Sequence, residues 1–168
     1  MRGYTLMELM VTVALLAIMS AMTAVGLGPL HMRYRVRKAV DVTAQLLVRT
    51  RLRAIETSRC HQVEILADGI PVSAGSPGDA LRVSRRRDAD CESRPDPLAL
   101  VEVERVTLPE RMQVRLKGSE VLVFRPTGRT GDNAPRRFLV GREGELRGVV
   151  AAPNGPVCAL EREEEDCP

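Results

Sequence analysis

One carboxylate stands immediately before a long stretch of uncharged residues. Glu8 precedes residues 9–30, 22 consecutive positions without a charged side chain, most of them Leu, Val, Ala, Met and Ile. A carboxylate in apolar surroundings is costly and persists mostly where a cation compensates it. Two interpretations are open. Glu8 either lies at a membrane–water boundary and pairs with nothing, or it pairs with a cation from a neighbouring subunit.

The cysteines are the second group of residues with possible chemistry. They are Cys60, Cys91, Cys158 and Cys167. No Cys-x-x-Cys spacing occurs, and His31 and His61 are the only histidines, so we expect no metal site. Disulfides are expected if the domain lies in an oxidising compartment. Of the three possible connectivities we favour Cys60 with Cys91, joining a helix end to a loop, and Cys158 with Cys167, closing an acidic tail; free buried thiols are the alternative.

Catalytic constellations are scarce in the rest of the sequence. The segment Gly128-Arg129-Thr130-Gly131 lacks the lysine and the length of a phosphate-binding loop, so it indicates a turn. We predict that Arg85-Arg86-Arg87 is a solvated loop, and that Glu102 and Glu104 alternate along a strand and face solvent together. The sequence therefore predicts no enzymatic activity and no cofactor.

Composition and charge exclude some classes of partner. Aromatic residues make up only 2% of the chain, which disfavours single-strand nucleic-acid binding on stacking platforms. The net charge of +3 conceals an uneven distribution. Residues 31–59 carry eight basic and two acidic side chains, whereas residues 160–168 carry five acidic and one basic. The basic residues are interpreted as the solvated face of a helix, with nucleic-acid or lipid-headgroup binding as the alternative.

The uncharged segment predicts a membrane helix. Its 22 residues would form a helix of about 33 Å, which matches the roughly 30 Å hydrocarbon core of a bilayer. A cleaved secretory signal and a buried soluble helix are the alternatives, but the segment is too long for a signal peptide and no clean Ala-x-Ala site follows it. Gly26, Gly28 and Pro29 should interrupt the helix. It should resume to about Ser58 with one apolar face, formed by Met32, Val36, Ala39, Val40, Thr43, Leu47, Thr50 and Ala54.

The first residues resemble a known export signal. The segment Gly3-Tyr4-Thr5-Leu6-Met7-Glu8-Leu9-Met10-Val11 is similar to the class III signal of type IV pilins and type II secretion pseudopilins. The resemblance implies that a prepilin peptidase cuts between Gly3 and Tyr4 and methylates the new amino group on Tyr4. Tyr4 and Met7 stand where the family more often has Phe and Ile.

This resemblance gives Glu8 a partner. In a filament, an N-terminal ammonium could meet the Glu8 carboxylate in an apolar core, where an unpaired charge is unfavourable. The pair would then specify the register of assembly. The family orientation places the residues after 30 outside the cytoplasm, although the basic cluster Arg33, Arg35, Arg37 and Lys38 favours the opposite orientation by the positive-inside rule. We follow the motif.

Residues 60–168 show the alternation of β-strands separated by turn signals. The predicted strands are 61–66, 80–84, 99–107, 112–116, 120–124, 137–141 and 146–151. The predicted fold class is α+β, with a long N-terminal helix packed on antiparallel sheets. The expected organisation is a leader over 1–3, a transmembrane and assembly helix over 4–30, an amphipathic helix over 31–59 and a β-rich periplasmic domain over 60–168.

The second half of the chain resembles the H-type minor pseudopilins, the GspH/FimT family. The similar segments are Arg51-Leu52-Arg53-Ala54-Ile55, Gln62-Val63-Glu64-Ile65 and Phe124-Arg125-Pro126-Thr127-Gly128. The family's DNA-uptake members carry a Gly-Arg-x-Arg pattern where this chain reads Asn154-Gly155-Pro156-Val157-Cys158, so DNA is not an expected partner. The resemblance implies a minor pseudopilin of type II secretion, anchored by a single pass in the inner membrane, with other pseudopilins or pilins and the prepilin peptidase as partners. A type IV minor pilin for pilus assembly or DNA uptake is the alternative, and a secreted, disulfide-bearing binding domain is the third.

Overall fold

The structure is a computed structural model that describes residues 5–87, 91, 99–109, 111–132, 134–142, 144–160 and 167, and only the backbone of residues 21–30. The favoured cleavage and methylation positions, Gly3 and Tyr4, lie outside the described residues. The chain divides into two units, residues 1–35 and residues 36–168. Each unit is considered by itself below.

A single helix, α1, extends from Leu6 to Thr57. The predicted interruption at Gly26, Gly28 and Pro29 is wrong, because the helical assignment continues through all three. Proline lacks a backbone N–H, so one hydrogen bond of the helix is missing. The backbone hydrogen bonds of the flanking turns remain, and they can keep the chain helical through this residue. The predicted segments 4–30 and 31–59 therefore share one continuous helix, which extends from Leu6 to Thr57.

The second half of α1 presents the predicted apolar face to the sheets. From Val36 to Ala54, every predicted position is buried, and Leu46, which was not predicted, joins them. Two members of this face are polar. The hydroxyls of Thr43 and Thr50 donate to the carbonyl oxygens of Ala39 at 2.9 Å and Leu46 at 2.7 Å, so their burial leaves no unsatisfied hydroxyl.

Nine strands follow the helix in the described part of the chain. They are β1 (His61–Ala67), β2 (Ile70–Pro71), β3 (Ala80–Arg86), β4 (Leu100–Thr107), β5 (Gln113–Lys117), β6 (Val121–Phe124), β7 (Arg136–Arg142), β8 (Glu145–Ala151) and β9 (Val157–Ala159). All seven predicted strands are confirmed. The two that sequence reasoning missed, β2 and β9, have two and three residues.

The strands form two antiparallel sheets. Sheet A has the order β2-β1-β3-β4, with β6 also paired to β1, and sheet B has the order β5-β7-β8-β9. The sheets meet where Gly78 and Val114 exchange two backbone hydrogen bonds of 2.8 and 2.9 Å. A side chain at Gly78 would overlap the carbonyl oxygen of Leu66, so this junction requires glycine. A long helix followed by antiparallel sheets is the predicted α+β, pilin-like architecture.

The core of the second unit lies between α1 and the sheets. Its largest fully buried side chains include Phe124, Phe138, Leu81, Leu116 and Leu122. They come from strands of both sheets. Leu116, Leu122 and Phe124 alternate with more exposed neighbours, so the period of two in β5 and β6 is matched by burial on one side of the strand. Phe138 and Leu81 each have a buried neighbour in their strands.

Two disulfides close loops of the second unit. Cys60, fully buried directly after α1, is bonded to Cys91 with a Cα–Cα distance of 5.7 Å. Cys158 in β9 is bonded to Cys167 with a Cα–Cα distance of 5.8 Å. These are the connectivities favoured from the sequence. The described residues contain no free cysteine.

Candidate functional site

The first turn of α1 places Glu8 at the helix N-terminus. The backbone N–H groups of Glu8 and Leu9 donate to the carbonyl oxygen of Thr5 at 3.0 and 3.3 Å, which closes the first turn. A carboxylate in the first turn is favoured by the helix dipole. The Glu8 side chain is exposed, and no ion pair joins it to another described residue. It is therefore available to a cation from outside the described residues.

The residues on both sides of Glu8, from Leu6 to Met19, form an apolar part of the helix that nothing in its own unit covers. Leu6 and Met7 are 80% and 77% exposed, and ten large hydrophobic side chains between Leu6 and Met19 are exposed by more than half. The polar groups among them are satisfied internally, since the hydroxyls of Thr12 and Ser20 donate to carbonyl oxygens one turn earlier at 2.8 Å. An exposed apolar surface of this kind marks a site of contact with lipid or with another protein.

Among the described helical residues, no stretch combines the length and the apolar character that crossing a bilayer requires. The span predicted over residues 9–30 stays a prediction.

The end of α1 is fixed to sheet A by a carboxylate between two arginines. Glu104 in β4 pairs with Arg53 and, at 3.4 Å, with Arg49. The prediction that Glu102 and Glu104 face solvent together is wrong. A β-bulge between Val83 and Ser84 shifts the pairing of β3 with β4. Glu104 then meets the helix, whereas Glu102 stays exposed and pairs with Arg105.

Arg51 connects the helix to sheet B. Its guanidinium carbon lies 5.2 Å from the centroid of the Phe124 ring. Its Nη2 donates to the carbonyl oxygen of Ala152 at 2.5 Å, and its Nη1 donates to that of Gly155. Burial lowers the pKa of Arg51, although an arginine starts so far above neutral pH that it stays a cation. This arginine was assigned to a solvated face from the sequence, and the structure corrects that prediction.

The environment of the arginine triplet Arg85-Arg86-Arg87, at the end of β3, also differs from the prediction. Arg86 is 3% exposed, and its Nε donates to Oε1 of Gln62 at 3.4 Å, so it does not belong to a solvated loop. The turn predicted over residues 128–131 lies earlier in the chain. The N–H of Gly128, whose φ is 77°, donates to the carbonyl oxygen of Arg125 at 2.8 Å and closes a turn over residues 125–128, and Thr130 already forms a β-bridge with Phe124.

His61 is a buried titratable group beside these arginines. Its side chain is 1% exposed, and Nδ1 lies 3.1 Å from the carbonyl oxygen of Arg59. Burial is the main cause that lowers the pKa of His61; the charges of Arg85 and Arg53 lower it further, and the contact with Arg59 opposes them. The described residues contain no group of three or more His, Cys, Asp and Glu side chains that could hold a metal ion.

This burial predicts a loss of stability in acid. His61 is neutral when folded, so below the unfolded-state pKa of about 6.5 the unfolded chain binds more protons than the folded one. The free energy of unfolding should fall as the pH decreases from 6.5 towards the folded-state pKa. Urea denaturation of the wild type and of His61→Gln across this range measures the effect. His31→Gln, at an exposed position, is the control; equal slopes for the wild type and His61→Gln would contradict the prediction.

The N-terminus matches a family of processed proteins. Residues 1–24 match the family described as the prokaryotic N-terminal methylation motif. This match covers Glu8 and the exposed apolar helix that follows it. The motif implies processing by a prepilin peptidase and an N-terminus anchored in a membrane.

Solved structures share the fold over about four fifths of the chain, 79% in both cases below. The type IV minor pilin FimU of Pseudomonas aeruginosa superposes with a TM-score of 0.57 at 16% identity, covering 79% of this chain and 92% of FimU. The minor pseudopilin EpsH from the type 2 secretion system of Vibrio cholerae superposes with a TM-score of 0.56 at 15% identity, covering 79% of this chain and 99% of EpsH. The chain therefore has a pilin-like fold. No curated protein is significantly similar to it in sequence.

Residues 154–158, where the sequence resemblance would place a DNA-contacting pattern, are held by contacts in this chain. The carbonyl oxygen of Gly155 accepts from Arg51, and Cys158 is held in a disulfide. Neither arginine of the pattern is present at 154–158. What sequence reasoning missed here is Arg51 itself, and no signal in the sequence distinguishes it from the exposed arginines of α1.

Proposed function

We propose that this pilin-like chain is a minor pseudopilin of a type II secretion system. Its N-terminal helix would anchor it in the inner membrane by a single pass, with the sheets in the periplasm, until it enters the pseudopilus. Its activity is assembly rather than catalysis. The observation that carries this proposal is the exposed apolar helix with Glu8 in its first turn.

Glu8 would then act through the N-terminal ammonium created by cleavage before Tyr4. In a helical filament, an ammonium of the same or a neighbouring subunit meets the carboxylate in apolar surroundings. Misplaced subunits leave two charges unpaired, so the pair selects the register of assembly more than it adds net stability. The disulfides support the periplasmic location, because disulfides persist in oxidising compartments.

A type IV minor pilin is the second candidate, since FimU has the same fold. Secretion is favoured because the two arginines of the family's DNA-contacting pattern are missing at 154–158. A salt-titrated DNA-binding assay distinguishes the uptake role. Strong binding that weakens steeply with salt would move the proposal to DNA uptake, whereas weak binding supports secretion.

Mass spectrometry of the mature N-terminus tests the shared part of both candidates. The mature chain should begin at Tyr4 with a methylated amino group. Gly3→Val should retain residues 1–3, because the motif places the cut after this glycine. A mature chain that begins beyond residue 20 would contradict filament entry and support a secreted domain released by signal peptidase.

A further inference from the structure

The basic cluster of α1 follows closely after the uncharged segment. Arg33, Arg35, Arg37 and Lys38 occupy four of six successive helical positions. Arg35 is half-buried and the other three are exposed. Within the described part of the chain, no ion pair and no side-chain hydrogen bond joins any of the four to another group, and the exposed Asp41 one turn further does not pair with them. The described residues therefore leave these four cations uncompensated.

If residues 9–30 span a bilayer, the basic cluster begins at the level of the lipid headgroups. At a rise of about 1.5 Å per residue, Arg33 and Arg35 lie about 5 and 8 Å along the helix beyond residue 30. The headgroup layer on each side of a bilayer is about 5–8 Å thick. Tyr34 stands between the two arginines and is 66% exposed, and tyrosine is enriched at this boundary, where its ring contacts lipid and its hydroxyl contacts water.

The charge of the basic cluster indicates the kind of partner. The family orientation places the cluster on the side of the membrane away from the cytoplasm, where the positive-inside rule disfavours cations. Anionic lipids offset this cost, because arginine and lysine near an anionic surface are attracted to its phosphates. The long side chains of these residues can also reach a phosphate while their methylene groups lie on apolar surface.

We propose that the basic cluster binds the headgroups of anionic phospholipids in the periplasmic leaflet of the inner membrane. The inference rests on the proposed function, because it requires that the uncharged segment anchors the chain. A lipid is favoured over an acidic protein segment, since headgroups lie at this depth wherever the anchor is inserted. Bound headgroups hold α1 at a fixed depth until the subunit enters the filament.

Tyrosine fluorescence of the full chain in vesicles tests the inference. The chain has no tryptophan and two tyrosines, so Tyr4→Phe leaves Tyr34 as the reporter. The vesicles contain phosphatidylcholine and a minor fraction of phosphatidylglycerol, and brominated acyl chains, which quench a nearby tyrosine, are placed in one lipid or the other. At equal bromine content, bromine on phosphatidylglycerol should quench Tyr34 at least about twofold more strongly, since the basic cluster enriches this lipid around it. High salt should reduce the difference by screening.

Charge reversal in the basic cluster should abolish this difference. Arg33→Glu combined with Arg37→Glu replaces two attractions by two repulsions. Arg129→Glu combined with Arg142→Glu is the matched control, because it makes the same change of net charge at two exposed positions outside α1. The control should keep the difference seen with the unchanged cluster.

Two outcomes would overturn the inference. Equal quenching by the two brominated lipids with the unchanged cluster would show no preference for anionic headgroups, and it would leave the cations to an acidic protein partner. Equal loss of the difference in both double variants would show attraction by net charge alone.

Failure of this inference is distinguishable from failure of the proposed function. Equal quenching by both lipids still places Tyr34 at the membrane, so it removes only the headgroup site and leaves the anchor intact. Quenching by neither lipid would contradict the anchor and the inference together. An N-terminus that is not cleaved before Tyr4 would contradict filament entry whatever the lipids do.

Discussion

Glu8→Ala should insert into the membrane normally and fail to enter filaments. Under the proposed function, the substitution removes the carboxylate that the N-terminal ammonium of a mature subunit would meet in the filament core. Breaking one partner of a buried ion pair costs about 3–5 kcal/mol, because the other charge stays unpaired. A loss of this size lowers incorporation by at least about a hundredfold. Insertion should persist, since the apolar residues after Glu8 are unchanged.

Membrane fractionation and recovery of the protein in sheared or cross-linked filaments measure the two steps separately. Glu56→Ala is the matched control, because Glu56 is an exposed acid on the same helix that lies far from the N-terminus. Normal filament recovery of Glu8→Ala would show that the carboxylate has no role in assembly. Loss of both variants from the membrane would instead show a general defect of α1.

Phe124→Ala should lower the free energy of unfolding by about 3–5 kcal/mol, the usual cost of truncating a fully buried aromatic side chain. Phe124 is 0% exposed, stands opposite His61 in the register of β6 with β1, and lies beneath the guanidinium of Arg51. The substitution leaves a cavity and removes the ring that stabilises this cation. Both losses fall at the place where α1 meets the sheets.

Urea denaturation followed by circular dichroism measures the change, with Val103→Ala at a substantially exposed position of β4 as the control. A double-mutant cycle with Arg51→Met isolates the contribution of the cation–ring contact, expected at about 0.5–2 kcal/mol. A cost below about 1 kcal/mol for Phe124→Ala would contradict the assignment of Phe124 to the core.

The strands were predictable because their alternation is visible in the sequence, and the missed ones show the limit of that signal. β2 has two residues after the turn at Asp68-Gly69, and β9 has three after Pro156, which is too short for a period of two to be recognised. The apolar face from Val36 to Ala54 was found because seven positions repeat at helical spacing. Pro29 misled the prediction, since one missing hydrogen bond does not end a long helix.

The burial and the partners of individual charged side chains could not be predicted from the sequence. Arg51, Arg86 and Glu104 are typical surface residues by type, and their partners are separated from them by 24 to 104 positions. Their burial depends on a bulge in β3–β4 and on the turn after β8, both of which exist only once the sheets have formed. Glu8 was recognised because its unusual feature, a charge beside an uncharged segment, is local.

The outer strands of the two sheets disfavour aggregation of the chain. In the described part of the chain, β4 is an outer strand with a bulge and with charged side chains at Glu102, Glu104 and Arg105, and β9 is an outer strand of three residues closed by a disulfide. Short, bulged or charged edges resist pairing with the edges of other molecules. Under the proposed function, copies of the chain would therefore resist stacking through these two edges, and association would be left to the apolar N-terminal helix.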